Sequence, residues 1–149
     1  MRPTERLSVV ASHIQDKTTM SSQRPYITCH VLDTISGKPA PGIAVSLQLV
    51  SPSSAARDQW TAHTNSDGRV TAWDSTDKAL NEVVETVKKS AEKEEQTVWR
   101  LTFDTEAYFG KGNTFYPEVE LKFATKREEE HYHVPLLLGP WSYTTYRGS

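Results

Sequence analysis

Cysteine is almost absent from this chain: Cys29 is the single one in 149 residues. That excludes an intramolecular disulfide framework and fits a reducing compartment, with Cys29 read as a small buried residue rather than a nucleophile. Charge of one sign is lacking too, since 17 Lys and Arg stand against 19 Asp and Glu for a net charge of -2. No basic patch argues for nucleic acid. No apolar run approaches the roughly 20 residues of a membrane helix. The length suits one domain with one core.

What is present is short-period alternation. Residues 1–24 carry no sustained helix or strand pattern and read as a leader or disordered tail; residues 25–149 read as the folded domain. The stretch "YITCHVLD" sets Tyr26, Thr28, His30 and Leu32 on one face and Ile27, Cys29 and Val31 on the other. "GIAVSLQLV" aligns Ile43, Val45, Leu47 and Leu49, and "EVELKFA" aligns Val119, Leu121 and Phe123. "TVWRLTFDT" and "HYHVPLLLG" complete a run of short strands. Turn signals separate them at Ser36–Pro39, Asn65–Gly68 and Gly110–Asn113. Together these predict an all-β, antiparallel sandwich.

Two segments break the alternation. "DTEAYFGKG" predicts one short helix, with Asp104 or Thr105 as cap and Gly110 as stop. The stretch of about 76–97 places Leu80, Val83, Val84 and Val87 at helical spacing and then turns almost wholly charged. It is longer than a hairpin connection needs and reads as a partly helical, solvated insertion.

Few side chains offer chemistry. His30 lies mid-strand, and "HYH" sets His131 and His133 on one strand face. Three readings are open: hydrogen-bonded structural histidines, a three-histidine zinc site of the catalytic kind, or a metal-free acid–base pair. Arg69 follows the Asn65–Gly68 turn, where a planar fork of donors could meet an anionic or imide substrate. The end, "YTTYRGS", reads by itself as a solvated polar tail.

Four stretches give these residues a context: "HVLDTISGKPAPGIAVSLQL", "TNSDGRV", "FYPEVELKF" and "HYHVPLLLGPWSYTTYRGS". They resemble the 5-hydroxyisourate hydrolases of the transthyretin-like family, from Tyr26 to Ser149, and the terminal Tyr-Arg-Gly-Ser is the most specific element. The resemblance implies a transthyretin-like β-sandwich of two four-stranded sheets with one short helix. It also implies a homotetramer, a dimer of dimers with active sites lining the channel between dimers. The implied reaction opens the six-membered ring lactam of 5-hydroxyisourate without a cofactor or metal. The implied catalytic residues are His30, Arg69, His133 and Ser149, with His30, Arg69, Tyr146 and Arg147 binding substrate and Gly148 completing the tail. Gly139 departs from the serine more usual before the proline. A carrier of small aromatic ligands on the same fold, or a purely structural sandwich, would need neither the histidines nor the tail.

The leader gains meaning from that context. Arg6-Leu7, five residues, then His13-Ile14 approximates an N-terminal peroxisomal signal read by an import receptor. Ile14 departs from the favoured last position. Met20 offers a start for a shorter, cytosolic form.

Overall fold

In "ITCHVLD" every second side chain is withdrawn from solvent, and that alternation is what fixes β1 (Ile27–Asp33) in a sandwich. The computed structural model describes residues 24–52, 58–75, 77–90 and 96–149. After β1 come β2 (Lys38–Pro39), β3 (Ala44–Ser51), β4 (Gln59–His63), β5 (Arg69–Val70) and β6 (Asp74–Ser75). Helix α1 (Leu80–Lys89), β7 (Thr97–Phe103), α2 (Thr105–Phe109), β8 (Val119–Thr125), β9 (Tyr132–Leu138) and β10 (Tyr143–Thr145) follow. The leader's targeting motif lies outside the described residues.

Each sheet has five strands where four are implied by the resemblance. In the first, β10, β9 and β1 lie side by side, and the far edge of β1 is shared by β5 opposite Cys29 and His30 and β2 opposite Leu32 and Asp33. Two stubs therefore split one position, and the sheet is four strands wide. The second runs β6-β4-β3-β7-β8, gaining the two-residue β6 along β4. β1 and β9 are parallel; the other pairings are antiparallel.

Between the sheets lie Ile27, Cys29 and Val31 of β1, Leu136 and Leu138 of β9, Leu47 and Leu49 of β3, and Trp60, Trp99, Leu101 and Phe103. Full burial of a side chain of this size contributes about 1.5–3 kcal/mol. The two indoles remain satisfied, as Trp60 donates to the Lys78 carbonyl and Trp99 to Thr125 Oγ1. Cys29 is enclosed, and burial pushes its thiol up to about 12, which leaves it inert as a nucleophile.

Tyr26 departs from the face expected for it. Strand β1 begins only at Ile27, and the Tyr26 ring turns inward to meet Tyr132 edge-on at 5.6 Å and Trp99 at 6.3 Å. The apolar stripe of α1 also turns inward, with Leu80, Val83 and Val84 in the core and Val87 packed against it. Glu82, Glu85 and Lys89 stay exposed, so this helix covers the sandwich instead of standing free in solvent. Helix α2 follows its signals: Asp104 caps Ala107 N, and Gly110, at φ 95°, stops it.

Candidate active site

The parallel pairing of β1 and β9 sets Thr28 opposite His133 and His30 opposite Pro135. Thr28, His30 and His133 all point away from the core, onto the outer face of the first sheet. His30 and His133 are thus diagonal neighbours, with ring centroids 6.3 Å apart and planes 29° from parallel. On the other edge of β1, β5 sets Arg69 opposite His30. Three residues scattered through the chain meet on one surface.

The turn before β5 places Arg69. Asn65 Oδ1 accepts from Asp67 N and Arg69 N, and the Gly68 amide donates to the Asn65 carbonyl. Gly68 has φ +70°, and a Cβ there would lie 2.4 Å from the Val31 carbonyl oxygen. That oxygen and Gly68 approach so closely because the Gly68 carbonyl accepts from Val31 N at 2.8 Å. Only glycine lets the turn dock against β1 and bring Arg69 beside the imidazole.

Both imidazoles sit below their ordinary value. Burial is the main cause for His30, followed by the Arg69 charge, while the Asp67 backbone and carboxylate pull upward. Burial again leads for His133, followed by Arg69, His30, His131 and Arg24. A neutral imidazole beside a fixed cation can take a proton from water while the cation stabilises an anionic oxygen.

The tail reaches this surface through Gly148. Its amide donates to the His133 carbonyl at 2.9 Å. A Cβ on Gly148 would lie 2.9 Å from His133 Cδ2 and 3.0 Å from Pro135 Cγ, so glycine is what permits the contact. Thr145 Oγ1 donates to the Pro135 carbonyl and pins the segment just before it. The Arg147 guanidinium turns elsewhere: it pairs with Glu129 at 3.5 Å and lies 4.6 Å above the Tyr132 ring. Tyr146 and Ser149 are exposed. Tyr143, Tyr146 and Arg147 border a cavity of about 390 Å³ between β8 and the β9–β10 edge, which His133 also lines. His30, Arg69, His133 and Gly148 are therefore brought together, whereas the side chains of Tyr146 and Arg147 are not placed on the imidazoles.

Among the described residues no group of three or more His, Cys, Asp or Glu side chains is placed to hold a metal ion. His131 is engaged otherwise, with Nδ1 2.9 Å from the Pro25 carbonyl and Nε2 3.3 Å from Thr28 Oγ1. Thr28 was not among the residues singled out for chemistry. Its place on the face of His30 was the available signal, but only pairing with β9 shows that it touches His133.

The HIUase/Transthyretin family model matches residues 27–148. A probable 5-hydroxyisourate hydrolase of Schizosaccharomyces pombe is 40% identical over 131 residues, covering 85% of this chain and 94% of that protein. The 5-hydroxyisourate hydrolase of Mus musculus is 38% identical over 133 residues, covering 87% and 100%. Of solved structures, an (S)-allantoin synthase aligns with TM-score 0.63 and 33% identity over 85% of this chain, which spans only 44% of that protein. The Klebsiella pneumoniae 5-hydroxyisourate hydrolase aligns with TM-score 0.56 and 26% identity, covering 83% of this chain and 98% of that one. With its motifs, sandwich and outer-face histidines in agreement with that match, the chain belongs to the HIUase/Transthyretin family.

Proposed function

We infer that this chain is a 5-hydroxyisourate hydrolase of urate degradation. The observation that carries the reading is the stacked pair His30 and His133 on an open sheet face beside Arg69. In the reaction, water attacks the lactam carbonyl carbon and one neutral imidazole takes its proton. Arg69 offsets the charge that gathers on the carbonyl oxygen, more in the transition state than before it. The ring C–N bond then breaks, the nitrogen takes up the proton, and the new carboxylate and ureido groups define 2-oxo-4-hydroxy-4-carboxy-5-ureidoimidazoline. Ser149, Tyr146 and Arg147 are assigned to orienting the substrate, a role their position at the tail supports once a second subunit covers the face.

The reading includes assembly as a dimer of dimers. Its support is an outer face that mixes histidines with Leu32 and Leu137, together with Ile35, Phe115 and Trp141, each about 70% exposed in the single chain. The free edges of β8 and β10 offer further strand pairing. The Arg6–Ile14 motif supports delivery to the peroxisome by its import receptor.

Adding the purified protein to freshly generated 5-hydroxyisourate should speed its ultraviolet decay well above the spontaneous rate. An unchanged decay would remove the hydrolase reading and leave a ligand carrier.

A further inference from the structure

His133 has two ring nitrogens, and general-base work requires that one of them present a bare lone pair to the substrate side. Which one is bare is set by what the other touches. Nδ1 of His133 lies 2.8 Å from Thr28 Oγ1. The same hydroxyl lies 3.3 Å from Nε2 of His131, whose Nδ1 is 2.9 Å from the Pro25 carbonyl. These contacts form one line from a backbone carbonyl to the imidazole.

We propose that Thr28 and His131 are positioning residues that lock His133 in its Nδ1–H tautomer and so leave Nε2 free to accept a proton. The direction of the line follows from its fixed end. A carbonyl oxygen only accepts, so His131 Nδ1 carries a hydrogen and donates to Pro25. Neutral His131 then has a lone pair on Nε2, which accepts from the single hydroxyl hydrogen of Thr28. With its hydrogen committed, Thr28 Oγ1 can only accept from His133, and His133 Nδ1 must be the donor.

The reverse direction would require His131 to carry hydrogens on both nitrogens. Burial and the nearby Arg24 charge oppose that cation, and they outweigh the Pro25 carbonyl that favours it. Around His133 the charged neighbours are Arg69 and Arg24, with His30 and His131 beside it, and all favour the neutral ring as well.

The carbonyl at the head of the line is itself held. Asn81 of α1 accepts from Tyr26 N at 2.9 Å and donates to the Arg24 carbonyl, bracketing Pro25 from both sides. The inserted helix thereby fixes the point from which the tautomer is set.

The catalytic part of this inference rests on the hydrolase reading; the tautomer does not. Nitrogen-15 NMR of histidine-labelled, substrate-free protein, at a pH where His133 is neutral, should show Nδ1 protonated and Nε2 bare. Thr28→Val, nearly equal in shape, should shift the signals toward the other tautomer or a mixture, and Thr28→Ser should keep the native pattern. In turnover of 5-hydroxyisourate, Thr28→Val and His131→Ala should lower kcat by about 10–100-fold, the span seen when an outer partner orienting a histidine at a metal site is lost. KM should change little, and Thr28→Ser should stay near wild type. An Nε2–H signal for His133 in the native protein, or an unaltered spectrum in Thr28→Val, would overturn the proposal. If the native spectrum is as stated but no form hydrolyses the substrate, the relay stands and the hydrolase reading fails.

Discussion

His30 and Asp33 lie three residues apart on β1, both drawn out of water, yet the sheet treats them oppositely. At His30 burial and Arg69 work together and press the imidazole toward neutrality. At Asp33 burial alone would raise the carboxyl, but hydrogen bonds from Tyr108, Ser36 and Ile35 outweigh it and hold the group ionised. Tyr108 Oη donates to Asp33 Oδ2 at 2.8 Å, and its own hydroxyl is pushed up to about 12 by burial and by that carboxylate. The other carboxylate oxygen accepts from the amides of Ile35 and Ser36 and closes the turn after β1. Loss of water perturbs a group toward reactivity where its counterweights are too small, as Asp67 is at His30, and builds structure where donors outweigh it, as at Asp33.

The sharpest break of that comparison is on the histidines. His30→Ala or His133→Ala should cost about 10²–10⁴-fold in the rate of 5-hydroxyisourate hydrolysis, the range for positioned acid–base groups. Denaturant midpoints should stay near native, and near-native activity in both variants would end their assignment. Arg69→Gln removes the cation while keeping donors, and should cost about 10²–10³-fold, as for loss of one oxyanion donor. A loss confined to KM would mean that Arg69 binds substrate without favouring the transition state.

Acidity separates the two positions along another axis. The rate should fall about tenfold per pH unit once the base protonates, with that limb below about 6.5, the usual histidine value. Stability should follow in two windows. Below about pH 6.5 the unfolded chain takes up protons that His30 and His133 resist in the fold, so unfolding becomes easier as pH falls. Asp33 adds its loss only below about pH 4, as the unfolded carboxylate protonates first. Urea titrations from pH 8 to pH 3 check both windows, and a flat profile from 7 to 5 would contradict the first.

Smallest is the effect of Tyr108→Phe, which leaves the buried Asp33 carboxylate short of one donor. It should destabilise the fold by about 1–3 kcal/mol while kcat per folded molecule stays native. A fall in kcat without a change in denaturant midpoint would show that the Asp33 corner belongs to the site after all.

Much of this was legible in the chain because alternation is a local property. The faces of β1, β3 and β8, the cap and stop of α2, and the stripe Leu80, Val83, Val84 could be read from spacing. Tyr26 could not, since the pattern continues through it while the strand does not. Nor could the contact of α1, because spacing names a buried face but not what buries it. His30, Arg69 and His133 could be singled out as residues, and only resemblance to a family joined them. The partners of His133 were hidden for a plain reason: Thr28 lies 105 residues away in sequence, and no period of two or 3.6 reaches that far. The course of Arg147 was equally out of reach, as a ring and a carboxylate at Tyr132 and Glu129 decide it.

The parallel pairing of β1 with β9 carries a consequence for how the molecule comes into being. On a ribosome, β1 can close its β2 hairpin at once, but its other edge waits until β9, Tyr132–Leu138, has been made. Pairings between segments so far apart raise contact order and slow folding. Through that interval the β9-facing edge of β1 is bare and open to other strands. A nascent or truncated chain lacking β9 can therefore hold a hairpin, its turns and Arg69 opposite His30, but not a working site, because His30 and His133 become neighbours only when β9 pairs with β1.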